Sequence, residues 1–181
     1  MATFSDLKIA LSTVEPTVGR NTSHLDVAFG LAVKLTAAAK ARTVYFIGNG
    51  GSAGIASHMA ADFMKNGGFK AMCFNDPALL TCLGNDLGYE NVFSEPVRRF
   101  AQAGDLLFAI SSSGRSSNII NAAMQANVSG MVVVTLSGFD RDNPLRKLGT
   151  INFYVPSHAY GVVEISHLAI CHEILDRVNA G

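Results

Sequence analysis

The sequence predicts an α/β fold, a three-layer αβα sandwich around a five-stranded parallel sheet. The expected strand order is the flavodoxin-like 2-1-3-4-5, with a helical arm at the N-terminus. Three observations carry that prediction. From about residue 42 onward, short apolar runs alternate with stretches of helical spacing, the rhythm of βα units. Those runs are apolar throughout rather than at every second residue, which suits strands covered on both faces. No repeat, low-complexity tract or Pro/Gly/Ser linker divides the 181 residues, so a single domain is expected.

The arm, residues 1–41, ends in "HLDVAFGLAVKLTAAAKA" (24–41), with apolar residues on more than one face. Part of it is therefore expected to pack against another subunit. The domain proper, 42–181, opens with "TVYFIG" (43–48), followed by "AMCFN" (71–75), "DLLFAI" (105–110), "MVVVTL" (131–136) and "INFYV" (151–155) as strands. Helical patterns lie between and after them: "GIASHMAADFMKN" (54–66), "YENVFSEPVRRFAQA" (89–103), "SSNIINAAMQANV" (116–128) and "VVEISHLAICHEILDRV" (162–178).

Composition narrows the class of function. At 49% hydrophobic and 15% charged, the chain is greasier than a solitary monomer needs, which favours buried subunit interfaces. Fourteen basic residues balance fourteen acidic ones with no basic block, so neither a nucleic-acid nor a membrane surface is expected. Cys73, Cys82 and Cys171 are odd in number and lack C-x-x-C spacing, which reads as reduced thiols in a cytoplasmic protein. No secretory leader pattern and no apolar run of about 18 residues is seen.

Two loops carry the chemistry. "GNGGS" (48–52) follows the first strand and "SSSGRSS" (111–117) the third, and each opens a helix. Glycines such as Gly50 and Gly51 let backbone N–H groups turn toward one point, where the helix N-terminus adds partial positive charge. Ser52, Ser111, Ser113 and Ser116 are the hydroxyls expected to surround a phosphate dianion. In the 2-1-3-4-5 order both loops border the crevice where the direction of winding reverses. A nucleotide P-loop is excluded because the Lys-Ser/Thr ending is absent. "GNGGSA" also fits the dinucleotide form G-x-G-x-x-A, with Asp76 closing the second strand, but a lone sugar phosphate accounts better for the second serine loop.

His58 and Asp62, spaced i, i+4, share a helix face below the first loop. The last helix supplies Glu164, His167 and His172 within an apolar stretch. Glu164 and His172 stand ~12 Å apart along an ideal helix. Two side chains could just converge on one ion across that gap, at ligand distances of about 2.1 Å. A surface pair or a satisfied core group remains the plainer alternative for each. His167 lies on another face and reads as structural.

With these motifs on the page, the chain resembles the sugar isomerase (SIS) domain family, and within it the phosphoheptose isomerases. The resemblance runs from about residue 20 to the end. It rests on "IGNGGS" (47–52), His58, "LGND" (83–86), "AISSSGRSSN" (109–118) and the histidine-bearing last helix, in that order. It implies a similar fold, a homotetramer with active sites at subunit interfaces, and interconversion of sedoheptulose 7-phosphate with D-glycero-D-manno-heptose 7-phosphate through an enediol or enediolate. Carried over by position, it implies zinc held by His58, Asp62, Glu164 and His172. It further implies phosphate contacts at Ser52, Ser111, Ser113 and Ser116, and substrate contacts at Asn49, Gly50, Gly51, Asp86, Ser112 and Glu164. Asp62 would be the base and His172 the acid, imidazole being the side chain that exchanges protons near neutral pH.

This sequence departs from the family pattern in four places. The usual base glutamate is the shorter Asp62, and the usual glutamine is Glu164, an extra negative charge. A family arginine falls near Lys65 or Asn66, and a family aspartate before the last helix becomes Gly161. An isomerase of a different sugar phosphate is one alternative these changes leave open. The other is the branch of the family that acts as a non-catalytic adaptor for the bacterial replication initiator.

Overall fold

Seven strands make one mixed sheet in the computed structural model of the chain, which describes residues 3–181. Five run parallel: β3 (Thr43–Ile47), β4 (Lys70–Cys73), β5 (Leu106–Ser111), β6 (Val132–Ser137) and β7 (Ile151–Tyr154). They lie in the order β4-β3-β5-β6-β7. All six residues of β5 are buried because both faces are covered. Two further strands, β1 (Glu15–Val18) and β2 (Asn21–Thr22), form a hairpin that adds antiparallel to β7. The expected five-stranded parallel sheet is thereby corrected to a seven-stranded mixed one. The cause is local: "EPTV" has no apolar run of its own, and its pairing from Glu15↔Tyr154 to Val18↔Ile151 comes from the edge that β7 offers.

The first 41 residues are accordingly not a plain helical arm. They hold helix α1 (Phe4–Ser12), the β1–β2 hairpin and helix α2 (Leu25–Ala38). The start of that arm, residues 1 and 2, lies outside the described residues. Thr3 caps α1 reciprocally with Asp6, so two free backbone donors are satisfied locally. The other helices are α3 (Gly51–Lys65), α4 (Pro77–Leu87), α5 (Ser94–Phe100), α6 (Ser117–Val128) and α7 (Tyr160–Ala180). The stretch read as one helix over 89–103 is a 3-10 turn (Tyr89–Asn91) followed by α5. Helix α4 was not expected. Asp76 caps it and Pro77 occupies its first turn, a standard start signal that the short apolar segment obscured.

The sheet separates two cores. On one side α2, α3 and α7 bury Phe29, Phe46, Phe63 and Phe108. The Phe46 and Phe108 rings stack at 4.7 Å, and Phe63 meets Phe46 edge-on at 5.0 Å. On the other side Val97 of α5 and Ile119 and Ala123 of α6 close over Ile47, Leu107 and Val133. This packing sets α3 beside α7, both leading away from the carboxyl ends of the parallel strands. Among the described residues no helix is long and apolar enough to cross a membrane.

Candidate functional site

Both serine–glycine loops open on one cavity of about 300 Å³ at the carboxyl ends of β3 and β5. The first loop contributes Asn49, Gly50, Gly51 and Ser52, the second Ser111, Ser112, Ser113 and Ser116, and α7 adds Tyr160 and Glu164. Gly50 sits at φ 54°, ψ −121°, a backbone shape that side chains other than hydrogen disfavour. At Gly51 the Glu164 carboxylate packs so closely that a Cβ there would displace it. The N-cap residues of α3, α6 and α7 make no side-chain capping bond, and an N-cap or first-turn residue of each of the three helices lines the cavity. The Ser111 hydroxyl bonds to Ser116 Oγ at 3.2 Å, while the buried Ser112 Oγ has no protein partner. An unsatisfied buried hydroxyl beside uncapped helix ends is what a bound anion completes.

Asn49 is held rather than loose. Its Nδ2 donates to Asn118 Oδ1 and its Oδ1 accepts from Asn118 Nδ2, both at 2.9 Å. The Tyr89 hydroxyl donates a third bond to Asn49 Oδ1 at 3.1 Å. Both lone pairs of that oxygen are thus engaged, and one Asn49 N–H is left for a ligand. Asn118 is buried, and its Oδ1 also accepts from the Ile119 N–H. Through this pair the tip of the first loop is tied to the helix that follows the second.

Farther along the same two helices, His58 and Asp62 of α3 meet His172 of α7. Each offers one ligand atom, and the three atoms lie within 4.8 Å of one another. The His58 and His172 Nε2 atoms are 3.3 Å apart, with Asp62 Oδ2 at 3.5 Å from the former and 3.8 Å from His172 Nδ1. Two imidazoles and a carboxylate converging in this way fit a borderline-soft divalent ion such as zinc, with a coordination position to spare. The cluster is partly open, His58 keeping about half of its side chain exposed.

The cluster brings together three of the four residues expected to hold the metal. Glu164 is not in the cluster, because α7 is continuous from Tyr160 to Ala180 and eight residues of unbroken helix separate it from His172 by ~12 Å. Its carboxylate instead joins the serine cavity. Asp86 lies outside that cavity: it is exposed on α4, where it accepts from Asn85 Nδ2 at 2.9 Å. His167 is fully buried and bonds through Nε2 to the Ser137 carbonyl at 3.1 Å. Burial pushes its pKa down to about 4, so it stays neutral. Tyr160, Tyr89 and Asn118 are the residues that motif reading missed. Asn118 stood at the end of "AISSSGRSSN", where an Asn just inside a helix beside two phosphate-type loops was the available signal.

The chain is similar to known proteins in sequence and in fold. The SIS domain pattern matches residues 11–138. The phosphoheptose isomerase of Sulfurimonas denitrificans is 40% identical over 137 residues, 72% of this chain and 70% of that protein. The phosphoheptose isomerase of a Bradyrhizobium species is 34% identical over 170 residues, covering 89% and 84%. Among solved structures, the phosphoheptose isomerase of Neisseria gonorrhoeae superposes with a TM-score of 0.82 at 28% identity, over 98% of this chain and 92% of that one.

Proposed function

The chain belongs to the SIS domain family, among its phosphoheptose isomerases, and from that premise we propose that it interconverts sedoheptulose 7-phosphate and D-glycero-D-manno-heptose 7-phosphate. One observation carries the proposal at the level of residues. The serine cavity and the His58–Asp62–His172 cluster are both built from α3 and α7, Ser52 and Glu164 serving the cavity and His58, Asp62 and His172 the cluster. From Ser52 to His58 the helix rises ~9 Å, a span suited to a sugar chain held by a terminal phosphate.

In this reading Ser52, Ser111, Ser112, Ser113 and Ser116 grip the phosphate with the N–H groups of Gly50 and Gly51. The binding energy of that non-reacting end orients the reacting carbons. Asp62 removes a proton from C1 of the ketose through a carboxylate oxygen and returns it to C2. His172 supplies a proton to the C2 oxygen while the C1 hydroxyl gives one up, so the protons balance and only the double bond has moved. His58, Asp62 and His172 would hold a zinc ion, whose chemistry when bound is to polarise the sugar carbonyl. A homotetramer with sites shared between subunits, in the cytoplasm, completes the proposal. The partial exposure of the cluster and the three free cysteines support that setting.

The test is conversion of sedoheptulose 7-phosphate, followed by NMR with and without chelator, for the unaltered chain and for Asp62→Asn. The unaltered chain is expected to turn over and the variant to lose about a hundredfold or more in kcat. Normal turnover by the variant removes Asp62 as the base. A folded chain inert toward every sugar phosphate favours the adaptor reading.

A further inference from the structure

A second charged cavity lies away from the serine loops, and we propose that it is an anion site for a small molecule carrying two linked phosphate groups. It forms where the β1–β2 hairpin extends the sheet past β7, and at about 750 Å³ it is more than twice the size of the serine cavity. That volume lies in the range of small-molecule sites. Thr17 and Thr22, paired across the hairpin, give it hydroxyls. Arg20 enters from the hairpin turn, and Arg141, Arg146 and Lys147 from the segment between β6 and β7. Four of the fourteen basic residues of an otherwise neutral chain thus line one hollow, with Asp142 the single acidic residue among the lining.

The carboxylates present do not neutralise it. Glu15 serves two arginines at once, bonding Arg141 Nε at 2.7 Å and Arg146 Nη2 at 3.4 Å. Asp142 faces Arg115 at 3.6 Å, outside the cavity. Among the described residues neither Arg20 nor Lys147 makes a salt bridge. Arg146 is not a solvated surface chain: it is nine-tenths buried and donates to the Arg141 carbonyl at 3.1 Å. Its guanidinium also lies over the Tyr154 ring at 4.6 Å. Its Nη2 also donates to the Glu15 carbonyl, so Arg146 supplies fixed positive charge at the wall, and the exposed Arg20 and Lys147 supply donors for phosphate oxygens. Thr17 Oγ1 is also buried without a partner, a hydroxyl left for a ligand or its water.

Inorganic pyrophosphate is the probe, titrated calorimetrically into the full chain and into the double variant Arg20→Ala/Lys147→Ala at low ionic strength. Both substituted residues are exposed and neither belongs to the isomerase machinery, so fold and turnover are expected to be unchanged. The unaltered chain should bind pyrophosphate without competing with sugar phosphate, and the double variant should bind it about tenfold more weakly or worse. Equal affinity in both proteins overturns the proposal. So does binding that only competes with sugar phosphate, which would place the probe in the serine cavity, and so does no binding at all. The binding arm needs no turnover, so its outcome stands whatever becomes of the isomerase assignment.

Discussion

Glu164, expected both as a substrate contact and as a metal ligand, stands in the serine cavity and apart from the histidine cluster. Its carboxylate rests on Gly51, at the uncapped end of α3, in the cavity meant for a phosphate. There it acts as an internal anion, stabilised by the same helix end that would attract a ligand. A dianion entering the cavity must meet that charge or displace it. Two unit charges at about 4 Å repel by roughly 4 kcal/mol at an effective dielectric of 20, an upper limit at a wet site. Glu164→Gln keeps the shape and removes the charge. Inhibition by inorganic phosphate should therefore tighten several-fold in this variant while zinc content stays constant. Weaker phosphate inhibition together with lost zinc would return Glu164 to the metal set.

Helix α7 carries both Glu164 and His172, and the neutral imidazole of His167 lies between them in the buried face. An unfolded histidine titrates near 6.5, whereas burial holds this one at about 4. Between those values the unfolded chain binds more protons than the folded one, so stability is full above about pH 6.5 and falls as pH drops toward 4. The single group accounts for roughly 3 kcal/mol over that window. Urea unfolding of His167→Gln should show a flatter pH dependence between 6.5 and 4 than the unaltered chain; an equal slope would assign the acid sensitivity elsewhere. Such buried relationships mark the limit of what the sequence discloses. Strands β3, β5 and β6 are legible because full burial demands uninterrupted apolar runs, and the serine loops because glycine and serine at strand ends have a local reason to be there. Strand β1 is not legible, since its pairing derives from β7, more than 130 residues away. The position of Glu164 depends on how closely α3 and α7 approach at Gly51, which no spacing on α7 alone reveals.

At the scale of the whole molecule, the apolar excess of the composition reappears as exposed side chains gathered on the outer helices. Phe4 is 93% exposed, Ile9 59%, Val27 58% and Ile165 52%, all on α1, α2 and α7. Phe4, Leu7, Val162 and Ile165 line a shallow apolar hollow where α1 crosses the start of α7. Side chains of this kind are the material of which subunit contacts are made. Gly161 and Ile165 of the hollow neighbour Tyr160 and Glu164 of the serine cavity in sequence on α7, so a subunit seated there is expected to influence the cavity. Ile165→Asp places a charge in the centre of that contact without touching either core. Sedimentation equilibrium should find the unaltered chain as a tetramer and the variant as smaller species. Circular dichroism should find the variant's helices intact. Turnover of the dissociated variant should fall with its mass, because the serine cavity loses that neighbour. An unchanged mass for Ile165→Asp would mean that subunits meet at a face other than this hollow.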